Sequence, residues 1–191
     1  MKALEEKLQK EAIVLSADIL KVGNFLNQTL DIPFIMEMGR EIARLYEGEG
    51  VTKIVTIEAS GIAIATAAAV PMQVPVVFAK KSRAATQVGS MYHAEVKSFT
   101  HGNTYEAIIP VDMLSADDRV LIIDDFLAHG AALSGLLSII RQSGATLVGC
   151  AIAIEKGFQG GGDALRAEGV RIDSLARIRA MSPETGIEFY A

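Results

Sequence analysis

Apolar positions along this chain alternate between two rhythms. TKIVTIE at 52–58, VPVVFA at 74–79, VLIID at 120–124 and ATLVGCAIAIEK at 145–156 are near-continuous aliphatic runs. Such runs read as strands buried on both faces. Between them, apolar residues recur every three or four positions. Leu4 and Leu8 place a short amphipathic helix in MKALEEKLQKEA. Ile35, Met38, Ile42 and Leu45 place another, with Asp31 available to cap it, Pro33 to start it, and Gly48 and Gly50 to end it. SGIAIATAAAV and AALSGLLSIIRQSG predict two more helices, the second ending near Gly144. MYHAEVKSFT and NTYEAIIPV predict an antiparallel hairpin turned at His101-Gly102-Asn103. KKSRAATQVGS at 80–90 has no apolar period and reads as an exposed loop. After the glycines at 160–162 come a short helix and VRIDSLARI, the last predicted strand. Residues 13–30 carry no pattern that assigns them.

This alternation predicts an α/β fold: a central, mostly parallel sheet with helices on both faces. One domain spanning 1–191 is expected, because 191 residues at 50% hydrophobic composition suffice for a substantial core. Trp is absent, so that core is mainly aliphatic. The net charge of −5 and the lack of a basic block leave no electrostatic footprint for nucleic acid. The apolar stretch 62–79 invites a membrane reading, but Pro71, Gln73 and Pro75 divide it into helix, turn and strand. The charged N-terminus lacks a signal-peptide core, and the lone Cys150 fits a reducing compartment. A soluble cytoplasmic protein is therefore expected, with no membrane partner.

In parallel sheets, ligands collect beyond the carboxyl ends of the strands. Four polar clusters fall at such predicted ends: Glu58-Ala59-Ser60-Gly61, Lys80-Lys81, Asp124-Asp125 and Glu155-Lys156. The stretch VLIIDDFLAHGAAL at 120–133 is the most pointed. Its strand is read as Val120 to Ile123, ending at two adjacent acids that repel each other and so need a cation, hydroxyl groups or solvent. The small-residue turn Ala128-His129-Gly130-Ala131-Ala132 then opens a helix, whose free amides suit a phosphate. A phosphorylated ribose would satisfy acids and turn together. His93 and His101 show no spacing of a metal-ligand set, and none is expected.

LIIDDFLAHGAAL resembles the phosphoribosyl-diphosphate (PRPP) motif of the type I phosphoribosyltransferases. VLSADILKV, FLN, KIVTIEASGIA, VPVVFAKK, AIAIEKGFQ and SLARI extend that resemblance over nearly the whole chain. It implies transfer of ribose 5-phosphate from PRPP to a purine nitrogen, with release of pyrophosphate. It also implies that residues 1–32 contribute a hood over the base, that a flexible loop and hairpin flank the site, and that the assembly is a homodimer. By the same resemblance, Asp124 and Asp125 hold the ribose hydroxyls as the catalytic pair, and Ala128 to Ala132 bind the PRPP 5′-phosphate. Glu58, Ala59, Ser60 and Gly61 hold pyrophosphate, with Lys80 or Lys81 beside it; Lys81 is the one assigned. Mg²⁺ is expected to arrive with PRPP.

The chain departs from many purine-salvage relatives in two places. Ala128 stands where they carry an Asp that contacts the purine, and His129-Gly130-Ala131-Ala132 stands where they carry Thr-Gly-x-Thr. The xanthine-using branch also lacks those threonines, so the second departure narrows the resemblance to it. Xanthine is accordingly the expected base, with Leu20 giving apolar contact, Asn27 reading the ring edge and Lys156 facing the 6-oxygen. Phe126 or Phe158 could stack on the ring. The alternatives are another purine as substrate, adenine included, or a PRPP-sensing regulator that binds nucleic acid.

Overall fold

The computed structural model describes residues 1–82, 89–97 and 104–190. The predicted turn at 101–103 and most of the predicted 80–90 loop lie outside them. Among the described residues, no helix is long and apolar enough to cross a membrane.

Helix α1 (Lys2–Glu11) buries Leu4 and Leu8, as its spacing predicted. The patternless stretch that follows forms two strands of two residues each, β1 (Ile13–Val14) and β2 (Leu20–Lys21), paired antiparallel. A π-helical turn, Gly23–Asn27, then buries Phe25 and Leu26. Elements this short leave no periodicity to read. Helix α2 (Ile32–Leu45) begins as predicted, with the Asp31 carboxylate accepting the Phe34 N–H at 3.2 Å.

Strand β3 (Lys53–Ile57) leads into α3 (Gly61–Met72), and β4 (Val76–Ala79) follows. The region divides into helix, turn and strand as expected, with Pro71 just inside the helix end and not at its boundary. Pro71 sits in the last turn of α3, where a proline forfeits a single backbone bond, and the helix stops only at Gln73, whose φ is 55°. The hairpin β5 (Met91–Lys97) and β6 (Thr104–Pro110) pairs antiparallel as predicted. Strand β7 (Arg119–Leu127), α4 (Ala131–Ser143), β8 (Thr146–Lys156), α5 (Gly161–Ala167) and β9 (Ile172–Ser182) complete the alternation. VRIDSLARI is not the final strand: β10 (Gly186–Phe189) turns back antiparallel on β9.

The main sheet runs β10-β9-β8-β7-β3-β4, parallel throughout except for β10. Alternate residues of each strand feed opposite faces, so Leu121 and Ile123 join the core under α1, α2 and α3, while Val120 and Ile122 join the core under α4 and α5. From β3 the chain steps to β4 on one side; from β7 it steps to β8 and β9 on the other. The direction of winding therefore reverses between β3 and β7. A crevice opens at such a point, beyond the strand ends.

Candidate active site at the carboxyl ends of the parallel strands

The acid pair stands at that reversal, but not where the strand stops. Strand β7 continues past Ile123: Asp124 pairs with Ile152, Phe126 with Ile154 and Leu127 with Glu155 on β8. A neighbouring strand of eleven residues supplies backbone partners that a hydrophobicity pattern does not reveal. Asp124 is 5% exposed, and its Oδ1 accepts the Asp125 N–H at 3.0 Å. Burial, and then the charge of Asp125, push the Asp124 carboxyl well above the usual carboxylate range, against the opposing charge of Lys81. Gly61 at the start of α3 makes room for it, since a Cβ there would stand 2.9 Å from Asp124 Oδ1 and overlap Thr56 Oγ1. Thr56 Oγ1 is itself buried without a hydrogen-bond partner among the described residues.

The turn Ala128–Gly130 leads from β7 into α4, with Gly130 in the left-handed region at φ 85°. Its outer side rests on the glycine cluster. The Gly161 N–H donates to the Ala128 carbonyl at 3.2 Å, and any Cβ on Gly161 would overlap the backbone of Ala128 and His129. Residues Ala128 to Ala132 line a cavity of about 210 Å³ whose lining also includes Lys81, Lys97 and Tyr105. No sequence pattern singled out Lys97 or Tyr105, because the hairpin that carries them meets the turn only in three dimensions. Burial, then the charge of Asp124, raises the Tyr105 hydroxyl. Lys81 Nζ lies 5.2 Å from the Tyr105 ring centre.

The 58–61 segment connects β3 to α3, and its Glu58 carboxylate accepts the Lys81 N–H at 2.6 Å. The ends of β3 and β4 are thereby tied to each other. On the other side, Asn27 Nδ2 donates to Asp125 Oδ2 at 3.3 Å, so the N-terminal segment reaches the acid pair. Lys156 Nζ donates to the Asp18 carbonyl at 2.6 Å and stands 5.6 Å from the Phe126 ring centre. Burial lowers the Lys156 pKa. Phe158 is exposed, whereas Phe126 is half-buried. Leu20 packs into the core from β2. Glu155 also turns away from the group, into a buried ion-pair cluster with Arg166 and Arg177.

Acids, a small-residue turn, lysines and an amide are thus brought together from β3, β4, β7, β8 and the N-terminal segment. Among the described residues, no three His, Cys, Asp or Glu side chains converge as a metal cluster. Two adjacent carboxylates suit an ion that brings its remaining ligands with a phosphorylated substrate.

The model of the phosphoribosyl transferase domain matches residues 26–163, and the chain belongs to that family. The full-length relatives it resembles are narrower in kind. A xanthine phosphoribosyltransferase of Heliobacterium modesticaldum is 51% identical over 96% of this chain and 97% of its own. One from Brevibacillus brevis is 50% identical over 99% of this chain and 96% of its own. Among solved structures, adenine phosphoribosyltransferase from Thermoanaerobacter pseudethanolicus superposes with a TM-score of 0.75 at 22% identity, covering 91% of this chain and 99% of that one. The Trypanosoma brucei enzyme, solved with AMP, pyrophosphate and ribose-5-phosphate, gives 0.75 at 21%, covering 91% and 79%. At that identity these structures establish the shared fold, the type I phosphoribosyltransferase fold.

Proposed function

We propose that this chain transfers the phosphoribosyl group of PRPP to xanthine, forming xanthosine 5′-monophosphate and pyrophosphate. The observation that carries the reading is the acid pair standing directly before a small-residue turn into a helix, at the point where the sheet reverses its winding. The full-length relatives named as xanthine phosphoribosyltransferases support the choice of base.

In this reading Asp124 and Asp125 accept hydrogen bonds from the two ribose hydroxyls. The amides of Ala128 to Ala132 hold the 5′-phosphate, with Lys97 adding charge across the cavity. Glu58 to Gly61 and Lys81 hold the leaving pyrophosphate. As the bond from ribose C1′ to the diphosphate oxygen breaks, positive charge develops on the ring; the bond to a purine nitrogen then forms, the proton of that nitrogen leaving to solvent. The acid pair, fixed beside the ribose, stabilises that charge without reorganising. Mg²⁺ arriving with PRPP would neutralise part of its diphosphate charge, and Asp124 and Asp125 are the residues that would meet it.

Lys156 and Asn27 read the base and Leu20 gives it apolar contact, residues 1–32 acting as a hood. An ammonium donates only, so it favours a 6-oxo over a 6-amino purine. The assembly is a homodimer in this reading.

The test is nucleotide formation from PRPP with xanthine, hypoxanthine, guanine and adenine in parallel. Preference for xanthine is the expected result. Preference for adenine would discard the roles of Lys156 and Asn27 while leaving the PRPP site, and no turnover with any purine would discard the reading.

A further inference from the structure

The turn between β1 and β2 is closed on itself before it meets anything else. The Leu15 N–H donates to the Ile19 carbonyl at 2.9 Å, and Ser16 Oγ accepts the N–H groups of Asp18 and Ile19, each at 3.2 Å. A turn built this way holds Asp18 in a fixed attitude. Both oxygen types of Asp18 then meet one short segment beyond β8. The backbone carbonyl accepts Lys156 Nζ at 2.6 Å, and Oδ1 accepts Gln159 Nε2 at 3.0 Å. A carboxylate cannot donate, so the Gln159 amide must face it with its nitrogen. Its Oε1 is left buried and without a partner among the described residues, which makes Asp18 the partner that fixes this amide.

We propose that Asp18 and Gln159 form a latch that positions the base-reading groups, holding the N-terminal segment at a set distance from Lys156. This rests on the reading of Lys156 and Asn27 as contacts to the purine. Asp18 lies between β1 and β2, ahead of Leu20 and Asn27; Gln159 lies three positions beyond Lys156 in the 3-10 turn Gly157–Gln159. The latch therefore joins the two sides between which the base is held. Neither residue touches substrate in this scheme; both act through the placement of others.

The experiment compares Asp18→Ala, Gln159→Leu and the double variant with the unaltered protein, using xanthine and PRPP as varied substrates. Each single change is expected to raise the xanthine KM about tenfold, the PRPP KM staying within about twofold, as for loss of one hydrogen bond to a charged group. The double variant should be no worse than either single one, because both remove the same contact. Asp18→Asn, which keeps an acceptor, should restore most of the affinity. Equal changes in both KM values, or fully additive effects, would overturn the latch. Amide hydrogen exchange over residues 13–27 in the ligand-free protein provides a test independent of any base: Gln159→Leu should speed it while residues 128–132 stay unchanged. Unaltered exchange there overturns the latch whatever the substrate, whereas absence of xanthine turnover in the unaltered protein overturns only the choice of base.

Discussion

Strands β7 and β8 lie side by side, and each buries a carboxylate near its carboxyl end, but the two acids live in opposite surroundings. Glu155 is fully buried and satisfied by the fold. Its Oε1 accepts from Arg166 at 2.7 Å and Arg177 at 3.1 Å, and its Oε2 from Arg166 at 2.7 Å and Ser174 at 2.5 Å. Burial alone would raise its carboxyl, yet these partners outweigh that and hold it below the usual range. Asp124 has a neighbouring acid, one backbone N–H and, among the described residues, no ion-pair partner. A carboxylate that serves the fold is matched by the fold. One that the fold leaves short of partners, at a cost in stability, fits the role proposed for it, meeting a ligand.

The sharpest way to break this comparison is to neutralise the unmatched side. Asp124→Asn with Asp125→Asn should cut kcat/KM by roughly 10²–10³-fold, the scale of removing preorganised charge stabilisation from a transition state. Because the folded pKa of Asp124 is raised, its contribution to stability is present in acid and lost as pH rises through the folded value. The neutral variant should consequently melt no lower than the unaltered protein near neutrality. Near-normal turnover with saturating PRPP, or a collapse in Tm, would remove the distinction between the two acids.

Glu155→Gln should do the reverse. It strands two arginines, so a loss of about 3 kcal/mol is expected in denaturant unfolding. The Glu155 pKa is lowered in the folded chain, so its contribution is present above the unfolded carboxylate value and lost as pH falls through the folded value. The stability gap between variant and unaltered protein should then shrink in acid. A gap that widened in acid would contradict the assignment.

A finer contrast comes from two adjacent glycines. A Cβ on Gly161 would strike the backbone of the Ala128–Gly130 turn, whereas a Cβ on Gly162 would overlap Glu155 and stand 2.8 Å from Arg166. Gly161→Ala should raise the PRPP KM about tenfold by displacing the turn proposed to hold the phosphate. Gly162→Ala should cost about 1–3 kcal/mol of stability through overpacking, with the PRPP KM nearly unchanged. If both variants fail in the same assay, the two regions are not separable.

Much of this was legible in the chain. The alternation of aliphatic runs with helical spacing is local information, and it located the parallel strands and the helices between them. The acids of 124–125 and the turn 128–132 could be read together because they are consecutive. What escaped was set by distance along the chain. Glu155 looked like a companion of Lys156 at a strand end; its partners Arg166, Ser174 and Arg177 are brought back by α5 and β9. Lys97 and Tyr105 reach the turn from a hairpin. The three glycines at 160–162 gave no hint that one abuts the turn and the next abuts Glu155, since close approach is a property of folded backbones.

Both margins of the main sheet are four residues long, β4 on one side and the antiparallel β10 on the other. Just past β4, Lys80 exchanges backbone hydrogen bonds with Ile108 of the hairpin, at 3.0 and 2.9 Å. Open strand margins are where copies of a protein zip together into aggregates, and shortness and cover are the usual defences. The long, aliphatic strands β7 and β8 would be the most adhesive in the molecule if they stood at a margin; the winding order places them innermost. The order that opens a crevice for the ligand thus also keeps the stickiest backbone out of reach of a second copy.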